Sequence, residues 1–276
     1  MGLMSRPTVS TAALVLRAWS CGETSAVVSL LTRDHGYVKV IAKAARGPRS
    51  RLRPLIEPGR LVNVEFSLDP SRELQFLRGG EVDLDPLAEG ATLERSAFLL
   101  GALELVDRCR PQVVAGSPGE DGGASADLFE VCGRFVRMLS SRTCSRPDLL
   151  FFAFEWEMLA RHGIAPDLSA CVACGKERAE LDGSVLRFHS PEGGIVCGPC
   201  ALADRGNGGQ ALTSEALGHL LDMETMGLGL AEGPALSRPT RRELGALLHR
   251  FLGYHLPGYR LPAALDLLRA GKDGNA

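Results

Sequence analysis

The sequence predicts an α+β chain of more than one domain: a small five-stranded β-barrel, then a mainly α-helical region with an inserted four-cysteine metal module. Three observations carry that expectation. Residues 11 to 84 break into short, β-branched, alternating segments separated by turn residues. After Asp85 the apolar period lengthens to that of helices. Cys171, Cys174, Cys197 and Cys200 form two CxxC pairs.

Five strands are expected, at 11–19, 26–32, 37–44, 60–67 and 73–80. The fourth is the clearest, because Val62, Val64 and Phe66 alternate with Asn63, Glu65 and Ser67. Turns are marked by Asp34-His35-Gly36, Pro58-Gly59 and Asp69-Pro70-Ser71. Five strands in so short a stretch suit a closed or partly open barrel, which removes sheet edges; the oligonucleotide/oligosaccharide-binding (OB) fold is one such barrel, and an SH3-like barrel fits nearly as well.

Residues 92–109, 126–141 and 146–162 are long apolar segments without internal proline, expected as packed helices. Two more are expected near 213–226 and 240–255. The last has Thr240 and Glu243 in capping-box spacing and sets Leu244, Leu247, Leu248, Phe251 and Leu252 on one face. Between the first two helices, AGSPGEDGGASA at 115–126 has no large apolar residue and is expected to be a mobile surface loop. The domains are therefore expected at 1–85 and 86–276, with the metal module at 168–203.

The two CxxC pairs are 22 residues apart, so their thiolates can meet around one tetrahedral ion. Zinc is the expected metal, and four sulfur ligands leave no position for water, which makes the site structural. His189, between the pairs, is a possible substitute ligand. Cys21, Cys109, Cys132 and Cys144 have no such spacing and are expected as small hydrophobes.

No apolar run approaches the roughly 20 residues that span a bilayer, the longest clear one being Leu149 to Phe154. The N-terminal apolar stretch, Ala12 to Leu16, is short and no small-residue cleavage site follows it, so no secretory signal is expected. A reducing cytoplasm is the expected location. No GxSxG elbow, phosphate loop, HExxH helix or dinucleotide glycine pattern occurs, which shifts weight from catalysis to binding. Glu155 and Glu157, at i and i+2 on a helix, point to different sides and are expected to be solvated.

The formal net charge is −2, yet residues 1 to 85 hold 12 Lys+Arg against 9 Asp+Glu. Between Asp34 and Glu57, Lys39, Lys43, Arg46, Arg49, Arg51 and Arg53 occur with no acidic residue among them. Strand alternation sets Tyr37, Lys39, Ile41 and Lys43 on one face and Val38, Val40, Ala42 and Ala44 on the other. Arg17 and Trp19 are likewise expected on the face opposite Leu14 and Leu16. Cations for phosphate with Trp19 and Tyr37 as stacking platforms are what a single nucleic-acid strand requires. The bland alternative packs Trp19 and Tyr37 against the helices.

At this point the chain resembles the RecO family of bacterial DNA repair proteins and recombination mediators. The resemblance rests on VKVIAKAARGPRSRLRPLIEPGRLVNVEF, on Gly22-Glu23-Thr24 followed by Leu31-Thr32 and Gly36, on the cysteine pairs, on LTSEAL at 212–217 and on LLHRFLGYHLPGYRLPAALDLL. It implies an N-terminal OB domain, a mostly helical C-terminal domain and a zinc module. It also implies binding of single- and double-stranded DNA, strand annealing, and work with RecR to load RecA onto DNA coated by single-stranded DNA-binding protein (SSB), in the cytoplasm at the nucleoid. The glycine-rich 115–126 segment departs from the family pattern. Two other readings stay open: a zinc-containing protein-interaction scaffold without direct DNA contact, and a metal-dependent hydrolase.

Overall fold

The computed structural model describes residues 7–109, 122–181, 185–204, 209–231, 236–266 and 268. Each expected N-terminal strand forms: β1 (Thr8–Cys21), β2 (Ser25–Thr32), β3 (Gly36–Ala42), β4 (Leu61–Ser67) and β5 (Leu74–Leu84). They close into a barrel in the order β1-β2-β3-β5-β4, with β4 returning to β1. All pairings are antiparallel except β3 with β5. This is OB-like topology. Ala13, Val15, Val28, Leu30, Val40, Val62, Val64 and Phe66 fill the interior. A 3-10 turn at Arg53–Ile56 adds Leu55 and Ile56 to that core, closing one end of the barrel. Where β4 crosses β5, a Cβ on Gly80 would lie 2.2 Å from the Asn63 carbonyl oxygen, so only glycine permits the approach.

A bulge in β1 decides which residues face out. The register to β2 shifts between Val15 and Arg17. Before it, Val9, Ala13 and Val15 point inward; after it, Ala18 does. Leu14 therefore stands on the same outer wall as Arg17 and Trp19, against the expectation that it faces the opposite side. It is buried there because the helices cover that part of the wall.

Those helices are α1 (Leu93–Arg108) and α2 (Gly122–Ser140). α1 packs on β1, and α2 on β1, β2 and β3. Thr92 caps α1 by accepting from the Arg95 N–H. The expected loop at 115–126 is only partly open to description: 115–121 lie outside the described residues, and 122–126 are already helical in α2. By contact the chain divides into two compact units, Met1–Arg142 with Pro262–Ala276, and Thr143–Leu261.

The second unit contains α3 (Pro147–Arg161), a three-stranded sheet of β6 (Leu186–His189), β7 (Gly194–Cys197) and β8 (Gln210–Leu212), a short α4 (Gly198–Ala203), α5 (Ser214–Met226) and α6 (Arg238–His255). Leu244, Leu247, Leu248, Phe251 and Leu252 of α6 are buried as the periodicity required. Phe251 meets Phe188 of β6 edge to face at 5.6 Å. The expected capping box is not the cap. Ser237 caps α6 by accepting from the Thr240 N–H, while Glu243 accepts from the Thr213 N–H at 2.7 Å and its hydroxyl at 2.9 Å. Glu243 thus braces the residue that caps α5. Among the described residues no helix is long and apolar enough to cross a membrane.

The two α3 carboxylates also differ from expectation. Glu157 accepts the Leu228 N–H at 3.2 Å, and Glu155 is buried at 3% exposure because α3 is apolar around most of its circumference. Burial pushes the Glu155 carboxyl up to about 8. A raised folded value means the native state keeps a proton that the unfolded chain releases near 4.5. Stability should therefore fall as pH rises from about 4.5 to about 8, by an order of magnitude of a few kcal/mol, and level off above. Urea unfolding across that range should show this slope in the wild type and a flattened one in Glu155→Gln.

Candidate functional site

The basic segment is shaped by the end of β3. Ala44, just past the strand, takes the left-handed φ of +55°, which turns the chain out of the sheet. The Arg46 N–H then bonds the Thr24 carbonyl at 2.8 Å, tying the loop to the β1–β2 turn, and the Ser50 carbonyl accepts the Arg53 N–H as the 3-10 turn begins. Arg46 and Arg53 are thereby brought to one cleft of about 430 Å³, lined also by Trp19, Ser20, Ala26 and Ile56. Trp19 is 39% exposed. The Arg17 guanidinium sits 5.9 Å from its ring centroid.

Arg46, Arg49, Arg51 and Arg53 are all exposed, and among the described residues no carboxylate lies within ion-pairing distance of them. Glu57 lines the same cleft and lowers its positive potential locally. The remaining expected site residues stand apart from the cleft. Lys39 pairs with Glu73 of the barrel, and this lysine holds the Glu73 carboxyl below its usual range. Lys43 lies over the ring of Phe76 at 5.1 Å, an aromatic that periodicity alone did not single out. Tyr37 donates its hydroxyl to the Val106 carbonyl of α1 at 3.0 Å and is half-buried, so its ring belongs to the helix-covered part of the wall.

The four cysteines meet in the second unit. Their sulfurs all lie within 4.8 Å of one another, and Cys174 and Cys197 Sγ are 3.9 Å apart. Cys171 and Cys174 occupy a knuckle turned by Gly175, whose φ is +72° and whose N–H bonds the Cys171 carbonyl at 2.7 Å. Cys197 ends β7 and Cys200 falls in the first turn of α4. The Val172 N–H bonds the Ile195 carbonyl at 2.9 Å and lashes the knuckle to β7. Burial would raise the Cys171 thiol, but the N–H groups of Cys197, Cys174 and Ala173 outweigh it and bring it down to about 6. The thiols of Cys197 and Cys174 push Cys200 up to about 12. Four sulfurs this close cannot all ionise without a shared cation, and zinc–sulfur bonds of about 2.3 Å in a tetrahedron place sulfurs about 3.8 Å apart, which these residues fit. His189 is not in the cluster; it accepts the Glu192 N–H and faces Asp204 at 3.8 Å.

Residues 4–83 match the family model described as Recombination protein O N terminal, and residues 91–264 that of Recombination protein O C terminal. The DNA repair protein RecO of Anaeromyxobacter dehalogenans (strain 2CP-C) is 32% identical over 255 residues, covering 92% of this chain and 94% of the relative. That of Pelotomaculum thermopropionicum is 31% identical over 246 residues, covering 88% of each. The Bacillus subtilis (strain 168) protein of the same name is 31% identical over 191 residues, covering 69% and 68%.

The cleft geometry has a direct optical test. The chain has two tryptophans, and the other, Trp156, is only 3% exposed. Acrylamide should quench a Trp19 component of the emission strongly, and Trp19→Phe should leave only the protected component.

Proposed function

Because the chain belongs to the RecO family of DNA repair proteins, we propose that it is a non-enzymatic recombination mediator that binds single- and double-stranded DNA through its N-terminal barrel, promotes strand annealing, and with RecR loads RecA onto SSB-coated DNA in the cytoplasm at the nucleoid. The observation that carries this reading is the set of four exposed arginines, Arg46, Arg49, Arg51 and Arg53, with no carboxylate partner among the described residues and an exposed tryptophan beside them. Such a surface attracts a polyanion through counterion release and offers a flat ring to any base, whatever the sequence. Arg49 and Arg51, on a loop with Gly47, Pro48 and Ser50, can adjust to phosphate spacing in a single strand or a duplex. Lys43 adds to this set from the end of β3, whereas Lys39 shares its charge with Glu73 and contributes less. Tyr37, whose hydroxyl is held by the Val106 carbonyl of α1, is not included in the proposed contact.

Cys171, Cys174, Cys197 and Cys200 would hold one structural Zn²⁺. The ion supplies a cross-link between the knuckle and the β7–α4 corner, and with four sulfurs around it there is no place for a reacting water. Its binding energy is then part of the folding energy of the second unit.

Two measurements test these assignments. If about four cations engage a single strand, the log–log dependence of affinity on salt has a slope of about −3. Reversing the charges of Arg46, Arg49 and Arg51 should weaken binding and shrink the slope by about 0.7 for each phosphate no longer neutralised; an unchanged slope and affinity would refute the DNA assignment. For the metal, elemental analysis should find one zinc per chain, with Cys197→Ser losing it and melting at lower temperature, as the wild type does with chelator. Wild-type protein that carries no zinc at undiminished stability would overturn the structural-zinc assignment.

A further inference from the structure

The strand registers place a second aromatic residue in line with Trp19. Trp19 pairs with Val27, Val27 with Ile41, and Ile41 with Phe76. These four side chains form one rung across β1, β2, β3 and β5. They face outward, since their neighbours Ala18, Ala26, Val40, Ala42 and Leu77 fill the barrel interior. Trp19 and Phe76 stand at its two ends, three interstrand gaps or about 14 Å apart along the wall.

Cations flank this rung on both sides. Arg17 and Lys39 lie on the adjacent outward rung, and Lys43 and Arg78 each follow a rung residue, Ile41 and Phe76, by two positions along the chain. Lys43 Nζ is 5.1 Å and Arg78 Cζ 6.0 Å from the Phe76 ring centroid. Neither has a carboxylate partner among the described residues; Arg78 donates only to the Ser67 hydroxyl. Two like charges are thus gathered at one partly exposed ring. Toward the other end of the wall the coverage changes: Ser29 bonds Asp107 near the end of α1, and Leu14 and Leu31 are buried. Within the rung itself, Trp19 is 39% exposed and Val27, between the two rings, only 8%.

We propose that a single DNA strand crosses the barrel wall along this rung, with one base stacked on Trp19, another on Phe76, and Lys43 and Arg78 turned from the ring to the intervening phosphates. This rests on the DNA-binding reading above. An exposed cation–π contact is weaker than a base stacked on an aromatic ring, so the exchange at Phe76 favours the bound strand. The cations released from the ring stay within reach of phosphate, and charge neutralisation adds to the gain.

The test uses the full chain with an oligothymidylate longer than the roughly 4 to 16 nucleotides that one OB domain occupies, and an abasic sugar-phosphate chain of equal length. Phe76→Ala should weaken oligothymidylate binding roughly tenfold, Phe76→Trp should restore it, and neither should change binding of the abasic chain. In a Trp19→Phe background, oligothymidylate should quench the indole introduced by Phe76→Trp and the abasic chain should not, which keeps the test valid if Phe76→Ala folds poorly. Normal oligothymidylate binding by Phe76→Ala, equal losses on both probes, or no quenching would overturn the proposed path while leaving DNA binding intact. A wild type that binds neither probe would overturn the DNA-binding reading itself.

Discussion

One extra residue in β1 governs the use of the barrel's outer wall. In a strand, alternate side chains face opposite sides, so without the bulge between Val15 and Arg17 the inward series Val9, Ala13 and Val15 would continue to Arg17 and Trp19. A guanidinium and an indole would then enter an interior filled by alanine, valine and leucine. The bulge exchanges them for Ala18 and sends both outward. The cleft beside Arg46 and Arg53, and the rung ending at Phe76, follow from that change of parity. Leu14 remains on the same wall before the bulge and is buried instead of exposed.

The positive charge of the barrel is local. The chain as a whole carries a formal charge of −2, so no long-range attraction of the whole molecule for DNA is expected. At physiological salt, charges interact over about 8 Å. Within that distance, the lack of ion-paired carboxylates at Arg46, Arg49, Arg51 and Arg53 among the described residues counts for more than the protein's total. Lys39 illustrates the difference: it belongs to the same run in sequence but is answered by Glu73 across the β3–β5 pair.

The cysteine cluster is organised in another way. The fold around it consists of short strands and a short helix, elements too small to hold themselves by hydrophobic burial alone. Backbone N–H groups directed at Cys171 and the left-handed Gly175 assemble a compact sulfur set around which those pieces are arranged. The buried carboxyl of Glu155 in the same unit shows the converse case, a group that avoids the cost of a buried charge by holding its proton.

Local patterns in the sequence determined the positions of the five strands, the five longer helices and the cysteine quartet, because side-chain alternation, apolar period and ligand spacing are properties of neighbours along the chain. They also marked the cationic run, which is contiguous. The tertiary structure alone decided what lay across from each residue. Glu243 turned to Thr213, thirty residues away, and left Ser237 to cap α6. Glu155 was buried, Tyr37 was taken by α1, and Phe76 was drawn into line with Trp19 through three strand pairings. Each of these outcomes depends on a partner brought close by chain folding, and neither composition nor periodicity encodes which partner that will be.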